Sequence, residues 1–209
     1  MNKKQSDTYD ELWAEIQTEW RKAEGCIKDA EQVCLKLIEP AVLELRYAGR
    51  KLVEAQNLKK TDPEGAISLL RDARHDCARA QHDAVDSAVL TVGLQIKNIQ
   101  DKIPAKAIIA VYPQYAAMRS NLRKMHKKIV EARKYREKRD ELYMQMREIE
   151  FASLREAYDD FSHSEDLMRQ IGKGERRQKT FAYGVGASGV GFGVISNLSE
   201  ITTLLSGLF

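Results

Sequence analysis

The sequence predicts an all-α protein: an elongated antiparallel bundle of three long, partly kinked, coiled-coil-like helices, followed by a glycine-rich apolar helical segment at the C-terminus. Three observations carry this. Apolar residues recur every three or four positions through most of the first 174 residues. Charged residues make up 31% of the chain and aromatic residues 7%, a composition suited to covering long exposed helices and poor for filling a large core. Residues 181–199, FAYGVGASGVGFGVISNLS, carry no charge at all. The chain therefore divides into a helical body, 1–174, and an apolar tail, 175–209.

The first helix is expected from about Asp7 to Leu58. Trp13, Ile16, Trp20, Ile27, Ala30, Cys34, Leu37, Leu45, Ala48 and Leu52 step along one face. Asp7 suits the cap, and Pro40, lacking an amide hydrogen, predicts a kink near Ile38. Thr61-Asp62-Pro63-Glu64 then marks a strong helix start, a capping side chain before proline with an acid in the first turn. The second helix carries Ala66, Leu69, Ala73, Cys77, Ala80, Ala84, Ala88, Val92, Ile96 and Ile99 on one stripe, and its small residues admit a close neighbour. A third helix is expected to begin at Pro104 or after Pro113. Its heptad-like rhythm runs from Tyr115 to Ala132, falters through Tyr135–Arg139, and resumes from Leu142 to Met168. Gly172 and Gly174 are read as its stop. Three stripes alone leave a thin core, so a second copy of the chain is expected to complete the bundle.

Charge is unevenly spread. Arg119 to Arg139 holds ten Lys or Arg against two acids, and Asp140 to Asp166 holds nine acids against Arg147 and Arg155. Such neighbouring blocks suit antiparallel or staggered self-association, or a basic patch that seeks phosphate. The cations circle the helix, and only Tyr135 is available for stacking, so nucleic acid is a poorer partner than anionic lipid. Arg123, Lys127 and Lys128 are the lipid-contact candidates within the block.

The tail is the most informative stretch. Lys173, Arg176, Arg177 and Lys179 precede it, as cations precede a membrane segment on its cytoplasmic side. Gly189 and Gly193 form GxxxG, Ala182 pairs with Gly186 at the same spacing, and Phe181, Phe192, Leu204 and Leu205 supply apolar bulk. About 20 apolar residues is the length that spans a bilayer, although six glycines from Phe181 to Phe209 weaken the helix and suit conditional insertion or insertion as an oligomer. Gly184 to Gly189 also matches GxGxxG. A charged helix precedes that match and no strand does, so a nucleotide site is not expected.

No catalytic motif, metal spacing or cofactor signature is evident, and neither an enzyme nor a small-molecule substrate is expected. His75 and His82 lie two turns apart, about 10 Å, too far to share one ion on one helix, and read as a solvated polar face. Cys34 and Cys77 fall on apolar stripes and read as packing, and with Cys26 they form no metal spacing. Met1–Asp10 is polar with no apolar core, so synthesis in the cytoplasm without a secretory signal is the expectation. The leading expectation is an oligomeric, membrane-associated helical protein, pore-forming or membrane-disrupting in the manner of a toxin, that meets an anionic membrane through its tail. The alternative is a soluble structural scaffold whose tail is buried in a larger homo-oligomeric assembly.

Overall fold

The computed structural model describes residues 2–174, and within them there is no strand. The secondary structure is α1 (Lys3–Cys34), α2 (Glu39–Leu58), α3 (Pro63–Lys102), α4 (Ala105–Val111), α5 (Tyr115–Lys134), α6 (Arg139–Gln145) and α7 (Ala152–His163), with further helix over 165–174. Residues to Arg169 form one compact unit, and Gln170–Phe209 form a second, of which only 170–174 are described.

The first expected helix is two. The chain reverses at Leu35–Ile38, where Leu35 adopts the left-handed conformation at φ 53. That conformation costs a non-glycine residue roughly 1–2 kcal/mol. It is offset locally: Ile38 is buried, and its amide donates to Glu31 Oε1 at 3.2 Å. Pro40 then occupies the first turn of α2, where its missing N–H is no loss, so it starts a helix and does not kink one. α2 returns along α1: Tyr9 Oη donates to Gln56 Oε1 at 3.0 Å, Lys59 reaches Asp10, and Trp20 lies over Gly49, leaving 3.4 Å for any added Cβ. The start also differs from expectation, because Asn2 and not Asp7 caps α1, exchanging backbone-to-side-chain hydrogen bonds with Gln5.

α3 agrees with its sequence signals at both ends. Asp62 accepts from the Gly65 amide, Pro63 is the first helical residue, and the helix closes at Lys102, two residues before Pro104. At 1.5 Å per residue this helix is about 60 Å long and is the spine of the fold. Its first half lies between α1, which runs parallel to it (Arg74–Glu15, Gln81–Glu19), and α2, which runs antiparallel (Lys51–Asp76, Arg79–Glu44). Ala73, Ala80, Ala84 and Ala88 are all fully buried there, as close helix approach requires.

The third expected helix is also a hairpin. Pro104 and Pro113 bracket the short α4, and α5 runs back along α3 with Leu122 against Gly93 and Arg133 on Asp86. Where the heptads falter, α5 ends and a single 3₁₀ turn, Arg136–Lys138, turns the chain into α6. α6, a π-helical turn over Met146–Phe151, and α7 then return along α5, with Tyr112 Oη donating to the Ala157 carbonyl. Arg155 pairs with Asp29 on α1, so the second hairpin touches the first as well as the spine. Gly172 lies within helix and does not end it. The unit is thus two helical hairpins on one long helix, and most of the stripe residues are buried within one chain, with Leu37 exposed. One pair joins the opposed charge blocks inside the hairpin, Lys128 Nζ lying 2.9 Å from Glu150 Oε1.

Candidate functional site

Where the two hairpins meet on α3, a cleft of about 470 Å3 is lined by Glu19, Lys22, Gln81, His82, Tyr143 and Arg147, among others. Its charges are matched. Lys22 Nζ lies 2.8 Å from Glu19, Gln81 Nε2 donates to the same carboxylate at 3.2 Å, and Arg74 holds Glu15 at 2.8 Å. Tyr143 Oη donates to Asp86 Oδ1 at 2.6 Å, and Arg133 holds the other oxygen, also at 2.6 Å. Burial, followed by that bond to Asp86, pushes the Tyr143 hydroxyl well above its ordinary range, so it stays a donor.

His82 stacks on Tyr143 with ring centroids 3.9 Å apart. It is therefore a packed ring and not part of a solvated face, although His75 is exposed as expected. Burial lowers His82 to about 4, and the exposed Asp140, 3.6 Å away, only partly opposes this. The ring is neutral at pH 7 and a weak base. The thiols are equally quiet: burial pushes Cys26 up to about 11 and Cys77 up to about 12, and both pack in the α1–α3 interface. Among the described residues no group of three His, Cys, Asp or Glu side chains is placed to hold a metal ion. What this constellation does is fix the second hairpin to the spine helix α3.

That role has a pH signature. Because the folded value of His82 lies below the ordinary 6.5, the unfolded chain binds more protons between about pH 6.5 and 4. The stability from burying the neutral ring is fully present above that window and is lost as pH falls through it, by up to about 3 kcal/mol. Urea unfolding midpoints taken from pH 7 down to 4 are expected to fall more steeply for the wild type than for His82→Gln. Equal slopes would show that the ring titrates normally.

Of the expected contact residues, Arg123 and Lys127 are exposed side by side on α5, and Lys173 is exposed in the helix over 165–174. Lys128 is engaged within the body: its ammonium lies against Glu150 and donates to Gln145 at 3.2 Å. The basic residues also do not circle α5 uniformly. Arg119, Arg123, Lys127 and Lys134 share the face opposite buried Met118, Met125, Ile129 and Ala132. The remaining candidates, Arg176, Arg177, Lys179, Phe181, Ala182, Gly186, Gly189, Phe192, Gly193, Leu204 and Leu205, lie outside the described residues. Among the described residues no helix is long and apolar enough to cross a membrane.

The fold defines a class: an all-helical protein of two antiparallel hairpins on a shared central helix. Nothing more particular follows from relatives, since no family model, no curated protein and no solved structure matches the chain.

Proposed function

We propose that this protein engages membranes, with Phe181–Phe209 as the inserting element and Lys173–Lys179 as the cationic stop at the interface. One observation carries the reading: twenty consecutive uncharged residues, 180–199, patterned with Gly189-x-x-x-Gly193, follow directly on a basic run. The described body supports it indirectly. Most of its stripe residues are buried against one another within one chain, and self-association is assigned to the glycine-patterned tail. Several tails packed through small residues can approach closely in lipid and perturb or perforate the bilayer. The body acts as the platform that carries them, and its matched polar junction keeps that platform rigid.

The test is flotation of the full chain with liposomes beside a chain ending at Gly174. The full chain is expected to float and the shortened one to lose the component that persists on uncharged lipid. A full chain that never floats, while truncation breaks up a soluble assembly, would replace this reading with the scaffold.

A further inference from the structure

We propose that the outward face shared by α3 and α5 is a docking surface for an anionic phospholipid bilayer. The inference rests on the membrane reading above but concerns residues of the body and not the tail.

From Tyr115 to Val130, α5 contains no acid. Arg119, Arg123 and Lys127 follow at i, i+4 and i+8, all exposed, on the side turned away from the core. Arg119 stands over the Tyr115 ring, 5.9 Å from its centroid, while Arg123 and Lys127 have no ion-pair partner among the described residues. Of the acids near this face, Asp86 is held by Arg133 and Tyr143 and Glu131 lies 3.9 Å from Lys138, while Asp83 and Asp101 share the α3 side of Leu90 and Leu94 at heptad spacing. Beside these cations the face is apolar. Leu90 and Leu94, one turn apart on α3, are 61% and 59% exposed, and Val130 on α5 is 54% exposed. The contact of Gly93 with Leu122 sets the two helices side by side at this level.

Exposed leucines next to unpaired cations fit the bilayer interface in particular. Phosphate headgroups take the cations, and the apolar side chains enter the acyl boundary beneath them. A nucleic acid would satisfy the cations but leave Leu90, Leu94 and Val130 unused, and the face presents no aromatic ring flat for stacking. A second copy of the same face would set cation against cation.

The experiment is sedimentation of the full chain with sucrose-loaded vesicles of phosphatidylcholine, with and without phosphatidylserine, at low and high salt. Arg119→Glu/Arg123→Glu/Lys127→Glu is expected to weaken partitioning onto anionic vesicles by about 100-fold or more, since each cation near such a surface contributes roughly a fivefold factor. Leu90→Ser/Leu94→Ser is expected to weaken it by about tenfold at both salt concentrations. The exchange Arg123→Lys/Lys127→Arg is expected to retain binding, which separates charge from misfolding. Partitioning onto pure phosphatidylcholine reports the tail and is expected to be unchanged in the charge variants, so failure of the tail reading shows there alone. Unchanged anionic partitioning in the Glu variant overturns the proposal. So does binding to a DNA or RNA duplex that the Glu variant loses while the wild type ignores anionic vesicles.

Discussion

Replacing Lys51 by methionine is expected to cost about 3 kcal/mol, and replacing Asp76 by leucine in the same chain to return most of it. Asp76 is fully buried on the spine helix, in contact with Lys51 Nζ at 2.7 Å and with Arg79. A carboxylate removed from water is tolerated only while its charge is answered. Lys51 is the better-buried of its two partners, so losing it leaves Asp76 with an arginine that is half in solvent. The double replacement removes both charges, fills the α2–α3 interface with apolar volume, and leaves Arg79 on Glu44 at 2.9 Å. Buried ion pairs exchanged whole for apolar groups are often neutral, whereas broken ones are not. Urea unfolding followed by circular dichroism measures both. Losses that simply add in the double variant would show that Asp76 and Lys51 are not coupled.

Phe161→Ala is expected to lower stability by about 4 kcal/mol. Phe161 is wholly buried on α7, edge-on to Tyr112 at 5.5 Å and stacked on Tyr115 at 5.6 Å, so truncation empties the centre of the second hairpin. The hairpins share α3 and are cross-braced by Arg155–Asp29, so the loss is expected in a single transition affecting both. A separate early transition, with the first hairpin unchanged, would mean the halves fold independently.

The helical class was legible because the 3.6-residue period is present wherever the chain packs. The spine was legible to its ends because Asp62-Pro63 and Pro104 are unambiguous punctuation. The two reversals were harder to read, since a kink and a hairpin share the same local signals. The first left no mark in the spacing: the buried series Ala30, Cys34, Ile38, Ala41, Leu45 keeps steps of three and four through the reversal, and only Leu37, placed on the stripe by spacing, falls off it at 67% exposed. The second was visible as the falter at Tyr135–Arg139, which marks the 3₁₀ turn. What spacing does not convey is which polar residues meet across helices. His82, Tyr143, Asp86 and Arg133 come from three helices, and each alone looks like a surface residue. The engagement of Lys128 was hidden for the same reason, because Glu150 is brought to it only by the return of the chain. Leu90 and Leu94 were detectable in principle, being leucines that fall off the α3 stripe.

The most direct measurement of the central claim is liposome flotation combined with release of an entrapped dye, comparing the full chain with one ending at Gly174. The account predicts that the full chain floats and releases dye, that release is lost on truncation, and that the truncated body keeps only salt-sensitive attachment to anionic vesicles. A full chain that remains in the soluble fraction at every lipid charge, with the dye retained, would contradict it.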